Sequence, residues 1–180
     1  CTNESDSDEE LQMFFGGSRL SGREPGERQK LEASVKLLLL LLADSDGTLD
    51  EAELQYVDAQ FPDTERTVKA RELLEVIHAG ELKRIEQAVR TLAKEGRELR
   101  ISFLELAIAM CLADGAVAIT ENHILRFYAD ALFVGLGVLR KRFQAIAGQP
   151  LPDPGDPGSP DWWNQGRSAG GDAASESGMA

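Results

Sequence analysis

The sequence predicts an all-α fold, a bundle of about seven helices built on two pseudo-symmetric helix-turn-helix repeats. An apolar run ends in an acidic glycine turn at LLLLLLADSDGTLDEAE, residues 37–53, and a related pattern returns at LELAIAMCLADGAVAITE, residues 104–121. Gly115 follows Gly47 by 68 residues, and the same offset pairs Glu53 with Glu121. No segment shows the sustained apolar and polar alternation, rich in β-branched residues, that is typical of a strand.

Each repeat begins with a helix that is predicted to lie in the core. The run at 35–43 is apolar on every side, as a surrounded helix must be, and it is too short to span a membrane. Glycine adopts a positive φ without steric cost, so Gly47 and Gly115 let the helix stop and the chain reverse. Three N-caps are predicted at helix starts from the spacing of hydroxyl and acidic residues: Thr48 with Glu51, Ser102 with Glu105, and Thr120.

Apolar periodicity and Gly/Pro stops divide the chain into seven helices. They are predicted at about 28–43, 50–60, 64–78, 81–95, 102–112, 120–133 and 136–147. The inward stripes of the later helices include Leu82, Phe127, Tyr128 and Ile146. The two repeats place the first and fifth helices at the centre of the bundle.

Composition predicts three regions. Residues 1–28 are expected to be a flexible acidic arm, residues 29–148 the helical domain, and residues 149–180 a disordered Pro/Gly-rich linker or tail. Trp162 and Trp163 are the exception in that tail, because two adjacent indoles can bury a large area. Cys1 in place of a starting Met favours excision from a longer chain over the processed end of a lipoprotein.

The net charge of −12 argues against nucleic acid as a partner and against an anionic membrane surface, since both attract basic patches. The acidity is concentrated at the first turn, because the stretch 44–63 holds seven acidic residues and no basic one. A protein partner is therefore expected, without direct insertion of this segment into a membrane.

The sequence supplies little for catalysis, so the chain is predicted not to be an enzyme. It has no GxSxG elbow and no phosphate loop, and Cys111 lies in an apolar helix as a small buried hydrophobe. His78 lies where a helix is expected to end and so suits a helix C-terminus. His123, two residues after Glu121, is the better candidate for a metal ligand.

The acidic turns invite comparison with an EF-hand calcium loop, whose ligands come at positions 1, 3, 5 and 12. Position 1 would be Leu42 here and Met110 in the second copy, so an ordinary EF-hand is excluded. Two half-sites survive that a pseudo-twofold fold could join around a divalent cation, with Ca²⁺ as the first choice: Asp44, Asp46, Asp50 and Glu53, and Asp114 and Glu121. Alternatively, each Asp caps the following helix and each Glu stabilises its first turn.

The turns ADSDGTLDEAE and LADGAVAITENHIL resemble those of the TerB-like family of tellurite-resistance proteins and of the N-terminal region of DnaJ-like co-chaperones. The resemblance covers about residues 29–147. It departs from the family pattern at Ser45, which expands ADG to ADSDG, and at Ala118, where the first copy has Asp50. It implies a helical bundle with internal pseudo-symmetry, a non-enzymatic role in stress or metalloid resistance, and divalent-cation binding by the acidic residues.

Two functions follow from that resemblance. One is a binding and regulatory module of a stress or tellurite-resistance system that holds a cation at its two acidic turns. The alternative is a purely structural interaction domain that precedes a J domain in a longer co-chaperone. Either is expected in the cytoplasm, or tethered to the inner membrane through flanking sequence.

Overall fold

A computed structural model describes residues 22–45, 47, 49–61, 67–113 and 115–154. This part of the chain forms seven helices: α1 (Pro25–Asp44), α2 (Glu51–Ala59), α3 (Ala70–His78), α4 (Leu82–Ala93), α5 (Arg97–Leu112), α6 (Ile119–Ala131) and α7 (Leu136–Ala147). No strand occurs among the described residues. The predicted all-α fold is confirmed.

Helix α1 lies at the centre of the bundle and packs against α2, α3, α4, α5 and α6. Its successive residues Leu38, Leu39 and Leu40 are all 0% exposed, which is possible only because neighbours cover every face. Pro25 is its first residue, where a missing backbone N–H costs nothing and the fixed φ suits a helix. The prediction of a core helix from the apolar run is confirmed.

The two repeats have the same backbone geometry at their turns. Gly47 N donates to Asp44 O at 3.0 Å, and Gly115 N donates to Leu112 O at 2.9 Å. Both glycines have a positive φ, 76° and 91°. Helices α1 and α5 end 68 residues apart, and so do the starts of α2 and α6. The repeat that was inferred from sequence is therefore a structural repeat.

Helix α3 begins at Ala70, about six residues later than predicted. The segment before it is held by tertiary contacts: Lys36 Nζ donates to Val68 O at 3.0 Å, and Ala70 N donates to Asp58 Oδ1 at 3.0 Å. These contacts hold residue 68 outside the helix and cap the first turn of α3, a role that local periodicity could not reveal.

The N-caps predicted at Ser102 and Thr120 were wrong. The structure places Asp50 at the N-cap of α2 and Ala118 at that of α6, so Thr120 does not start a helix. Thr48 lies outside the described residues. Helix α5 begins at Arg97 after Gly96, and Ser102 lies buried inside it. At α2 and α6, the acid three residues after the true N-cap, rather than the nearest hydroxyl, marks the helix start.

Several residues placed on inward stripes are exposed. Leu82 is 74% exposed, Phe127 53% and Ile146 42%, whereas Tyr128 is fully buried as predicted. The buried face of α6 also includes polar side chains, Glu121 and Asn122. A pattern built from apolar residues alone therefore misjudges the orientation of that helix.

The folded part extends beyond 29–148 at both ends. Leu151 is only 8% exposed, and Asn122 Nδ2 and Arg126 donate to Pro152 O at 2.9 and 3.1 Å. At the other end, Arg23 Nη1 donates to Glu95 Oε1 at 2.6 Å. The rest of the predicted arm and tail, with Trp162 and Trp163, lies outside the described residues.

Among the described residues, no helix combines the length and the apolarity that crossing a membrane requires.

Candidate functional site

The first turn leads into α2 through a reciprocal capping box. Asp50 Oδ1 accepts from Glu53 N at 2.9 Å, and Glu53 Oε2 accepts from Asp50 N at 2.8 Å. Asp50 is in an extended conformation, with φ −106° and ψ 173°, as an N-cap residue should be. Both carboxylates are thus fixed at the helix start by backbone amides.

The second turn keeps half of this arrangement. Glu121 Oε2 accepts from Ala118 N at 3.0 Å, which matches the contact of Glu53 in the first copy. Ala118 has no side-chain acceptor, so the reciprocal bond to the amide of Glu121 is missing. Glu121 is only 6% exposed. The helix-stabilising role that was the alternative for these glutamates accounts for their backbone contacts.

This difference predicts opposite effects of two substitutions. Asp50→Ala should destabilise the chain by about 1 kcal/mol through loss of the N-cap, and Ala118→Asp should stabilise it by a similar amount by completing the second box. Urea unfolding of both variants measures the changes. If Ala118→Asp gave no gain while Asp50→Ala destabilised, the two helix starts would differ in more than the cap.

A cavity of about 370 Å³ lies between the start of α2 and the end of α5. From α2 it is lined by Asp50, Ala52, Glu53 and Tyr56, and from α5 and the second turn by Ala109, Met110 and Ala113. Ala113 directly precedes Asp114 in the sequence. The cavity thus connects the acidic helix start of one repeat with the turn of the other.

The other predicted ligands lie elsewhere or outside the described residues. Asp44 ends α1, and its Oδ2 lies 3.1 Å from Nε2 of His78 at the end of α3. Glu121 does not line the cavity. Asp46 and Asp114 lie outside the described residues. Within the described ranges, no three His, Cys, Asp or Glu side chains converge as a metal site would require.

Sequence reasoning missed Tyr56, Ala109 and Met110 as cavity residues. The signal that could have found them is the mismatch between the copies: Tyr56 corresponds to Ile124, and Ala109 to Leu41, at the common offset of 68. It also missed Lys36, which interrupts the apolar run of α1 and is 1% exposed.

Comparison with known proteins identifies one family. The family model described as tellurite resistance protein TerB matches residues 32–141. This range begins within α1 and ends within α7, so it includes both turns and every residue of the cavity. Neither the curated proteins nor the solved structures gave a match.

Proposed function

The chain belongs to the TerB family, and on that premise we propose that it is a non-enzymatic binding module of a tellurite-resistance-type system. We propose that its site is the junction of the two acidic turns and that it holds a divalent cation, with Ca²⁺ first, while contacting a protein partner in the cytoplasm. The observation that carries the proposal is the cavity, because it connects Asp50 and Glu53 of one turn with Ala113 of the other.

The donor set suits a hard cation. Ca²⁺ takes six to eight oxygen ligands from carboxylates, carbonyls and water. Asp50 and Glu53 each supply a carboxylate at the cavity, and Asp46 and Asp114 are the acidic residues of the two turns. Asp44 and Glu121 complete the six predicted ligands, but neither lines the cavity, so the cation is proposed to be held mainly by the other four.

A cation that binds only the folded chain raises its stability with concentration. We therefore expect the melting temperature of the full chain to rise as Ca²⁺ is added over the millimolar range. Glu53→Gln should remove this rise, because glutamine keeps an oxygen that can accept from Asp50 N but loses the charge. Glu98→Gln, at an exposed position in the first turn of α5, is the matched control and should keep the rise.

A melting temperature that does not change when Ca²⁺, Mg²⁺ or Zn²⁺ is added would contradict the proposed ion site. The same holds if Glu53→Gln and Glu121→Gln respond to Ca²⁺ like the unmodified chain. In that case the alternative would be favoured, in which the acids only stabilise helix starts and the bundle is a structural interaction domain that precedes a J domain.

A further inference from the structure

We propose that the cavity between α2 and α5 is a docking site for a basic side chain, Arg or Lys, of a protein partner. This inference goes beyond the cation, because it concerns the apolar part of the cavity, which oxygen-seeking metals do not use. It rests on the same Asp50 and Glu53 as the proposed function, but binding of a peptide and binding of a cation can be measured separately.

The size and lining of the cavity indicate an organic occupant. Its volume of about 370 Å³ lies in the range of roughly 300–1,000 Å³ that is typical of pockets for organic ligands. A Ca²⁺ ion with ligands at about 2.3–2.6 Å would occupy only the acidic edge. The ring of Tyr56, which is 46% exposed, and the side chains of Ala109 and Met110 would be left in contact with water.

The chemistry of the walls selects a cation with an apolar stem. Asp50 and Glu53 provide negative charge, Tyr56 provides an aromatic ring on which a guanidinium can stack, and Met110 provides a thioether that adapts to irregular shapes. Arg and Lys side chains bury their methylene stems along apolar surface while the charged end reaches a carboxylate. The stretch 44–63, with seven acidic residues and no basic one, adds a long-range attraction for a basic partner.

The cavity occurs where the repeat symmetry is broken. Its pseudo-symmetric counterpart would lie between α1 and α6, with Leu41 in place of Ala109 and Ile124 in place of Tyr56. Those two helices pack directly on each other, whereas α2 and α5 do not make extensive contact. The larger side chain of Leu41 and the missing acid at Ala118 thus coincide with two helices in direct contact. Ala109 and Asp50 coincide with a charged cavity between two helices.

Ala109→Leu places at this position the residue that the first copy has, Leu41. It fills the cavity and leaves every acidic residue unchanged. Ala109 is exposed, so the variant should fold with a melting temperature close to that of the unmodified chain. Ala145→Leu, at an exposed position of α7, is the matched control. Asp50→Asn is the charge variant, since asparagine still caps a helix.

The probe is the capped peptide acetyl-Gly-Leu-Arg-Leu-Gly-amide, titrated into the ¹⁵N-labelled full chain and followed by amide chemical shifts. We expect shifts at the cavity residues that weaken with added salt. The same peptide with citrulline, which has the shape of arginine but no charge, should bind about tenfold more weakly or worse. Ala109→Leu and Asp50→Asn should weaken the arginine peptide by a similar factor, and Ala145→Leu should not.

Equal binding of the citrulline peptide would overturn the proposal. Unchanged binding by Ala109→Leu would also overturn it, as would shifts that map away from α2 and α5 or no binding at millimolar peptide. Ala109→Leu keeps all six proposed cation ligands, so stabilisation by Ca²⁺ should persist in that variant. Peptide binding without stabilisation by Ca²⁺ would rule out the cation site and support the docking site. Stabilisation by Ca²⁺ without peptide binding would rule out the docking site and support the cation site.

Discussion

Asp58→Ala is expected to lower the free energy of unfolding by about 3–4 kcal/mol, because it leaves a buried ammonium group without its counter-charge. Lys36 Nζ lies 2.8 Å from Asp58 Oδ1, and the Lys36 side chain is 1% exposed while that of Asp58 is 29% exposed. Among the described residues, Lys36 would keep the carbonyl of Val68 at 3.0 Å and the ring of Phe61, 5.2 Å away. The partial exposure of Asp58 places the loss towards the lower end for buried pairs.

The same substitution removes a second bond. Asp58 Oδ1 also accepts from Ala70 N at 3.0 Å, so its loss uncaps the start of α3. Asp58 therefore joins three helices, through Lys36 on α1, its own position on α2 and the first amide of α3. We expect the unfolding transition to remain cooperative, since the contacts lie within one core.

Three further variants separate these contributions. Lys36→Met replaces the ammonium by an apolar side chain of similar length and should cost less than Asp58→Ala, because the remaining carboxylate is partly exposed and keeps Ala70 N. The double variant should be more stable than Asp58→Ala alone, since no unpaired charge is left in the core. Glu75→Ala, at an exposed position of α3, should change stability by less than about 0.5 kcal/mol. Urea unfolding gives all four values, and a double variant less stable than either single one would contradict this account.

The large-scale fold could be predicted because it depends on patterns that recur along the chain. The apolar run of α1 requires neighbours on every side, and Gly47 and Gly115 mark turns that need a positive φ. Both signals are local, and their repetition at an offset of 68 residues showed which helices of the two repeats correspond. Boundaries that depend on distant contacts were not predictable in this way, as the late start of α3 shows, since the side chains of Lys36 and Asp58 determine it.

The candidate site was predictable only in part, for a related reason. The acidic turns are visible in the sequence, and Asp50 and Glu53 do meet at one cavity. The partner of Asp44, His78, comes from a helix that sequence spacing could not place beside the first turn. The cavity itself exists because the side chains around it are small. A small side chain such as that of Ala109 belongs to no recognisable sequence motif. Only comparison of the two copies, residue by residue, indicates it.

Tyr128→Ala is expected to lower the free energy of unfolding by about 3–5 kcal/mol, the range for deleting a buried aromatic side chain. Tyr128 is fully buried, and its ring lies 5.5 Å from that of Phe103 between centroids. Its hydroxyl donates to Leu38 O at 2.6 Å, which joins α6 of the second repeat to α1 of the first. The loss therefore combines a cavity with a broken link between the repeats.

Tyr128→Phe isolates the hydroxyl and should cost only about 1 kcal/mol. Leu38 O lies in the middle of α1, where a helical carbonyl also accepts from the amide four residues later. Removing the hydroxyl therefore leaves no buried donor or acceptor without a partner. A loss as large as that of Tyr128→Ala would show that the hydrogen bond, rather than the packing of the ring, dominates this position.

The free energies of unfolding of the unmodified chain and of Tyr128→Phe should also diverge in alkaline solution. Burial, with a smaller contribution from the charge of Cys111, raises the pKa of Tyr128 well above 10 in the folded chain. Above about pH 10 the unfolded chain loses the phenolic proton while the folded chain keeps it, so stability falls as pH rises. This contribution is fully present below about pH 10 and decreases above it by up to about 1.4 kcal/mol per pH unit until the pKa of the folded state is reached. Urea unfolding from pH 7 to 11 should therefore show a steeper alkaline decline for the unmodified chain than for Tyr128→Phe, and parallel declines would mean that Tyr128 ionises without unfolding.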